Sequence, residues 1–430
     1  MYLLYSTLLA LALLLGSPYW IFEALRHRKY RKGLFERLGR VPARLHESSR
    51  PSIWVHAVSV GEVLAVSELV RAIRREFPEY RVVISTTTDT GQKLAASRFG
   101  ADSVFYFPFD FAFSLRPWLS ALKPRLIVIA ETEFWPNFLR LSKGAGAGLV
   151  IVNARISDRS LGGYRRWKQL LQYVLRKVDL FLAQTDEDAR RLVEIGAMPE
   201  KVLVSGNLKY DIPPPAEIPV VTELRAALRK SSAGPVLVCG STVEGEEPIL
   251  LHSFEQALAR YPESVMLLAP RHPERFDEVA GLTQESKLIF CRRSQWNGES
   301  LAGGVMLIDS IGELSSLYAL ADLAFVGGSL VARGGHNILE PAQHGVPILV
   351  GEHTENFRDI VELFKGRDAV RVVSAQSIAQ TFVELLANDV DRQALGRRAK
   401  ETLGSQQGAT QIALKKLREL LVSTREVTPA

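Results

Sequence analysis

The chain has only two cysteines in 430 residues, Cys239 and Cys291, and both sit in apolar runs. Neither has a partner at metal-ligand spacing, and so few cysteines cannot staple a fold. Packing is the expected role for both. No D-x-D, H-x-x-x-H or C-x-x-C signature stands out, so no metal site is expected and any ligand anion falls to arginine and helix termini. Short-period repeats and low-complexity segments are missing as well. With 23% charged and 47% hydrophobic residues, the composition is that of a globular protein, not a disordered one.

Charge is missing from the start of the chain. Some 22 residues pass before the first charged side chain, Glu23. A helix of that length spans roughly 30 Å, the hydrocarbon thickness of a bilayer. Tyr19, Trp20 and Phe22 suit an interfacial belt, and Arg26, Arg28, Lys29, Arg31, Lys32, Arg37, Arg40 and Arg44 follow at once. A cleaved signal would carry its positive charge before the apolar run rather than after it. Residues 1–24 are therefore expected to anchor the chain, spanning the membrane or lying in it, with the rest on the cytoplasmic side. The net charge of +6 is concentrated in that cluster. A membrane surface is thus a better expected partner than nucleic acid.

After a basic linker over 25–50, short apolar runs alternate with helical patterns. Residues 52–58, 81–86, 103–107, 125–130, 149–153, 180–184 and 202–206 read as strands. A proline cluster opens at Asp211 and reads as a linker over 211–222. The alternation then restarts with 236–240, 265–269, 287–291, 305–308, 323–326, 347–350 and 369–373. This spacing implies βαβ units and parallel sheets. The expected domains are 51–210 and 223–430, both Rossmann-like and facing a cleft, with the last helix packing back on the first. Ligands of such sheets sit outside the carboxyl ends of strands.

The candidate motifs follow strand ends. Residues 327–351 read GGSLVARGGHNILEPAQHGVPILVG after a buried strand. Paired glycines let backbone N–H groups approach a ligand, a helix is expected to open at Asn337, and Glu340 can accept ribose hydroxyls. A capping box, N-x-x-E, is the alternative for Asn337 and Glu340. Ser59-Val-Gly-Glu62 puts a carboxylate at a helix start, either to deprotonate a hydroxyl or to close a capping box. Thr86-Thr-Thr-Asp-Thr-Gly91 suits sugar or phosphate oxygens, or plain N-capping. Glu131-Thr-Glu-Phe-Trp-Pro-Asn137 suits a carbohydrate, or a loop with a core tryptophan. Asn153-Ala-Arg155 and the basic Tyr164-Arg-Arg-Trp-Lys168 can hold an anionic acceptor, although a solvated helix face would look the same. Arg271 can clamp a phosphate with both arms of its guanidinium, or form a surface salt bridge. Residues 309–314 are expected to open a long helix whose N-terminus favours an anion.

These motifs make the chain recognisable. SVGE, TTTDTGQ, YFPFDF, ETEFWPN, NARISDRS, QTDEDA, GNLKYD, LAPRHPERF, DSIGELSSLYALADLAFVGGSL and GGHNILEPAQHGVPILVG stand in one order. With them the chain resembles the bacterial 3-deoxy-D-manno-octulosonic acid (Kdo) transferases of lipopolysaccharide synthesis, over about residues 1–400. The resemblance implies the GT-B glycosyltransferase fold, CMP-Kdo as donor, a tetraacylated lipid A precursor as acceptor, and no cofactor. It makes Glu62 the general base. It makes Pro270, Arg271, Ile311, Gly312, Glu313, Asn337, Ile338, Leu339 and Glu340 the CMP-binding residues. Two positions depart from the family pattern: Val243 where histidine is usual, and Phe134 where leucine is usual. The rival readings are another membrane-associated GT-B enzyme using a UDP-sugar, or a non-catalytic sugar-nucleotide-binding scaffold.

Overall fold

A computed structural model describes residues 2–26, 33–46, 50–213, 215–216 and 218–426. The chain forms two compact units, Met1–Asp211 with Gln406–Ala430, and Ile212–Ser405.

The first unit is built on seven parallel strands: β1 Ser52–His56, β2 Arg81–Thr86, β3 Val104–Tyr106, β4 Pro124–Ala130, β5 Gly148–Ala154, β6 Leu180–Ala183 and β7 Val202–Val204. Their order is β3-β2-β1-β4-β5-β6-β7. The central strands are apolar at nearly every position because helices cover both faces. Alternate side chains feed two separate cores. Ile53, Val55, Leu126, Val128, Val150 and Val152 point into one. Trp54, Ile127, Ile129, Leu149 and Ile151 point into the other, with Phe105, Trp118 and Phe138. The last helix, Ala409–Glu426, closes the first core with Ala413, Leu414, Leu417 and Leu421. Asp211 fixes its start by accepting the Gly408 N–H at 2.7 Å.

The second unit repeats the plan with β8 Val236–Thr242, β9 Val265–Pro270, β10 Ile289–Arg292, β11 Gly304–Leu307, β12 Leu323–Val326, β13 Ile348–Val350 and β14 Arg371–Val372. The order is β10-β11-β9-β8-β12-β13-β14, again all parallel. Leu237, Cys239, Met266 and Leu268 face one core, and Val236, Val238, Val265 and Leu267 face the other. Both cysteines are free thiols, and burial pushes both thiol pKa values up.

Three expectations change here. The long helix after Asp309 is one turn, Leu314–Leu317, followed by a 3-10 turn, Tyr318–Leu320. The apolar pattern beyond it belongs to β12, which starts at Leu323. The helix expected at Asn337 begins at Leu339, because Asn337 Oδ1 accepts the Leu339 N–H at 3.1 Å and so stands outside the helix. The N-terminal segment is a helix over Tyr2–Arg26. Among the described residues, however, no helix is long and apolar enough to cross a membrane, so the expected spanning anchor is not shown. Its first turns dock on the first unit: Asn137 Nδ2 donates to Ser6 Oγ at 2.9 Å, and Arg140 lies over the Tyr2 ring at 4.8 Å. Leu11, Leu13, Leu14 and Leu15, which point around the helix, are all exposed. The side chains of Tyr19, Trp20, Phe22 and Arg26, and all of Arg28, Lys29, Arg31, Lys32, Pro214 and Glu217, lie outside the described residues.

Candidate active site

Strand order gathers motifs that lie far apart in sequence. In the first sheet β2, β1, β4 and β5 are neighbours. Their carboxyl ends carry residues 86–91, 59–62, 131–137 and 153–155. β1 and β4 flank the point where the winding reverses, which is where such sheets bind ligands.

Glu62 stands at this point, in the first turn of the helix Val60–Ala65, and is 7% exposed. Its Oε2 accepts the Val58 N–H at 2.8 Å, and its Oε1 accepts the Ser59 hydroxyl at 3.0 Å. Ser59 Oγ in turn accepts the Glu62 N–H at 3.4 Å. The capping arrangement is therefore real, and it holds the carboxylate in place. Burial pushes the Glu62 pKa up to about 7, further raised by Glu131 and Glu133 and opposed by the Val58 and Ser59 hydrogen bonds. A carboxylate poised there accepts a proton near neutral pH, as a general base must. Glu131 leaves β4 with φ of 56°, a left-handed conformation that costs about 1 kcal/mol for a side chain with a Cβ. That turn places its carboxylate close enough to Glu62 to perturb it.

Several other expected ligand groups of this edge have internal partners. Thr88 Oγ1 caps a helix by accepting the Gly91 N–H at 3.1 Å. Asn137 is 1% exposed and gives its Nδ2 to Asp110 O at 2.7 Å and to Ser6. Asn153 Oδ1 accepts the Leu208 N–H at 3.0 Å. Arg165 pairs with Glu194. Phe134 packs edge-on to Tyr164, an apolar contact that tolerates the exchange from leucine.

In the second sheet β11, β9, β8 and β12 are neighbours. Their ends carry Ile311, Gly312 and Glu313; Pro270 and Arg271; Ser241 and Thr242; and the glycine-rich segment through Glu340. All the candidate donor residues thus share one edge of one unit. Pro270 is the buried last residue of β9. Arg271 fixes its backbone through its N–H to Thr242 O at 2.9 Å, while its side chain is exposed and makes no hydrogen bond or ion pair among the described residues. Four residues on, Arg275 is different: it grips the fully buried Glu247 with two bonds of 2.6 and 3.1 Å. Ile311 is 77% exposed at the tip of its turn. Glu313 is held by Arg293 at 3.3 Å. Asn337 Nδ2 donates to Glu340 Oε1 at 3.2 Å, while Ile338 and Leu339 are buried beneath. The charge of Glu340 is felt by the buried Tyr318, whose hydroxyl would lie 2.2 Å from a Cβ at Gly240.

The glycine-rich segment works differently from expectation. Glu246, fully buried, accepts the N–H groups of Gly328 at 2.7 Å, Ser329 at 2.9 Å, Leu330 at 2.9 Å and Val243 at 3.0 Å. These N–H groups are satisfied by a side chain of the protein and do not form an anion hole. Val243 joins through its backbone N–H, and its side chain is buried. Burial raises the Glu246 pKa, and the four N–H bonds oppose the rise. Nothing in the run Glu244 to Glu247 marks Glu246 out in sequence. His336 was also unforeseen. Its Nε2 is buried without a partner, and burial, helped by Arg271 and His272, pushes its pKa down to about 4. Among the described residues no cluster of three or more His, Cys, Asp or Glu side chains is placed to hold a metal.

Comparison with known proteins shows the family. Residues 32–212 match the family model described as 3-deoxy-D-manno-octulosonic-acid transferase (kdotransferase). The 3-deoxy-D-manno-octulosonic acid transferase of Haemophilus influenzae is 37% identical, over 91% of this chain and 92% of that protein. The chain belongs to the Kdo transferase family. The enzyme of the same name from Bordetella pertussis is 35% identical, over 94% of this chain and 95% of that one. Among solved structures, UDP-GlcNAc 2-epimerase from Neisseria meningitidis, bound to UDP-GlcNAc, superposes with a TM-score of 0.51 at 13% identity, over 86% of this chain and all of that one. The C-terminal CMP-Kdo binding domain of WaaA from Acinetobacter baumannii is 35% identical, with a TM-score of 0.40, over 43% of this chain and 97% of that domain. The fold is GT-B-like, with two Rossmann-like units, and the chain is a glycosyltransferase.

Proposed function

We propose that this chain transfers Kdo from CMP-Kdo to a tetraacylated lipid A precursor, lipid IVA, with inversion at the anomeric carbon. Family membership supports the sugar, and the state of Glu62 supports the chemistry. Glu62 takes the proton of an acceptor hydroxyl. The hydroxyl oxygen bonds to the anomeric carbon of Kdo, the bond from that carbon to the phosphate oxygen breaks, and CMP departs. One displacement needs one base, and Glu62 is a buried carboxylate of its edge whose pKa is pushed up to about 7.

In this reading the second unit holds the nucleotide. Arg271 meets the phosphate with the planar fork that a phosphate requires. Pro270, Ile311 and Gly312 border the nucleotide, with Glu313 fixed by Arg293. Asn337 orients Glu340 toward the ribose, over Ile338 and Leu339. The charge on the leaving phosphate is met by arginine. The one-turn helix at Leu314 is too short to contribute a useful dipole.

The reading also places the protein at the inner membrane, with both units on the cytoplasmic side. A helix apolar all round needs an apolar surrounding. The exposed leucines of the N-terminal helix fit that demand, and the basic residues after it suit an anionic leaflet.

The test is turnover with CMP-Kdo and lipid IVA in detergent, followed by mass analysis of the product. A mass gain of whole Kdo residues, inhibition by CMP but not UDP, and activity in excess EDTA are expected. Inhibition by UDP alone would favour the UDP-sugar rival. Binding of CMP without any turnover would favour a scaffold.

A further inference from the structure

The turn Gly334-Gly335-His336 is tied down on two sides. The Gly335 N–H donates to Gly328 O at 2.6 Å, and the Asn356 N–H donates to Gly334 O at 2.8 Å. Asn356 Nδ2 also donates to Arg333 O at 3.0 Å. Gly334 and Gly335 take φ of 87° and 74°, left-handed values that a side chain would strain. The His336 ring lies against Gly328. A Cβ there would stand 2.7 Å from Cδ2 and 2.9 Å from Nε2, so the missing side chain makes room for the imidazole.

The two ring nitrogens differ. Nε2 is buried against this wall without a partner and is out of a ligand's reach. Nδ1 is neither buried nor hydrogen-bonded among the described residues. A proton on Nε2 would be a buried donor with nothing to accept it, a state that folded proteins rarely keep. The neutral ring therefore carries its proton on Nδ1, the accessible nitrogen. Burial, and then the nearby charge of Arg271, disfavour a second proton. His336 is thus an uncharged donor with an open N–H, close enough to Arg271 to feel its charge.

The backbone of the same segment has little left to offer. The N–H groups of Gly328, Ser329 and Leu330 end on Glu246, and that of Gly335 ends on Gly328 O. An anion beside Arg271 therefore finds the His336 side chain rather than a backbone cradle. The charges match as well. A phosphodiester carries one negative charge and Arg271 supplies one positive charge, while a neutral imidazole adds a hydrogen bond without a second charge.

We propose that His336 Nδ1–H donates a hydrogen bond to a phosphate oxygen of the nucleotide donor, alongside Arg271. The inference rests on the donor reading given above. It divides the work within one short motif: the glycines seat the ring, His336 meets the phosphate, and Asn337 holds Glu340.

Calorimetry on the full chain in detergent tests this, with CMP, cytidine, UDP and uridine as probes. The side-chain NH₂ of asparagine can stand in for Nδ1–H, whereas that of glutamine reaches the place of Nε2. His336→Gln should weaken CMP binding about tenfold, the loss of one hydrogen bond to a charged acceptor, and leave cytidine binding unchanged. His336→Asn should recover most of the CMP affinity. Equal CMP affinity in wild type and His336→Gln, equal loss in the two variants, or a parallel loss of cytidine binding would overturn the proposal. The wild type judges the donor reading separately. If UDP binds and CMP does not, that reading fails, and UDP against uridine then decides His336 by the same comparison. Binding of neither nucleotide would overturn both.

Discussion

Gly328 donates its backbone N–H to Glu246 Oε2 at 2.7 Å, joining the end of β12 to the turn after β8. Each oxygen of that carboxylate accepts two N–H groups: Oε2 from Val243 and Gly328, and Oε1 from Ser329 and Leu330. Glu246→Gln must turn one oxygen into a donor facing two donors. Bonds to a charged acceptor contribute roughly 1.5–3 kcal/mol each, so the second unit should lose about 3 kcal/mol or more. Amide exchange at Gly328, Ser329 and Leu330 should accelerate, and CMP should bind more weakly. Unchanged protection of these three amides would show that the carboxylate does not hold the segment.

Glu62→Gln is expected to lower the transfer rate by roughly 10²–10⁴-fold, the usual contribution of a general base, with CMP affinity nearly intact. The same change should stabilise the first unit above neutral pH. Below about 4.5 the carboxyl is neutral both folded and unfolded, and its burial has no ionisation cost. As pH rises to about 7 the unfolded chain ionises first, so the wild type loses stability over that window and then levels off. The gap corresponds to on the order of 3 kcal/mol. Denaturant midpoints of both proteins between pH 4 and 8 measure it. Parallel curves would mean that Glu62 is not strained by burial.

The acid limb of kcat/KM should lie near pH 7, with activity rising as Glu62 loses its proton. Glu131 raises that pKa by its negative charge, so Glu131→Gln should move the limb toward lower pH. A limb that stays in place would separate Glu131 from the ionisation that controls the rate.

Arg271→Lys keeps the charge but replaces a planar fork by a point charge. Calorimetry with CMP should show about tenfold weaker binding, the loss of one strong bond to a phosphate oxygen. Arg275→Lys should instead lower stability, because it breaks a two-bond grip on the buried Glu247. If the two variants exchanged these phenotypes, the donor site would have been drawn around the wrong arginine.

The strands were legible from the sequence because strands buried on both faces read as unbroken apolar runs. The motifs were legible as well, because strand-end turns draw on few residue types: Gly, Ser, Thr, Asn and Asp. Their individual roles were not. Thr88, Asn137 and Asn153 look as fit for a sugar as Glu62 does, yet each is held by a backbone or side-chain partner far away in the chain or in its own turn. The length of the helix after Asp309 was misread because its apolar spacing runs on into β12 without a breaker.

The sequence by itself determined two α/β units, a carboxylate after the first strand, and a candidate donor edge rich in glycine and arginine. These are local properties, set by hydrophobic period and turn chemistry. Only the tertiary structure decided which of Arg271 and Arg275 is free and which of Glu244, Glu246 and Glu247 is buried under backbone N–H groups. It also brought Glu131 beside Glu62. Residues a few positions apart share composition and propensity, but burial and partners depend on which strands become neighbours, and strand order is a property of the folded sheet.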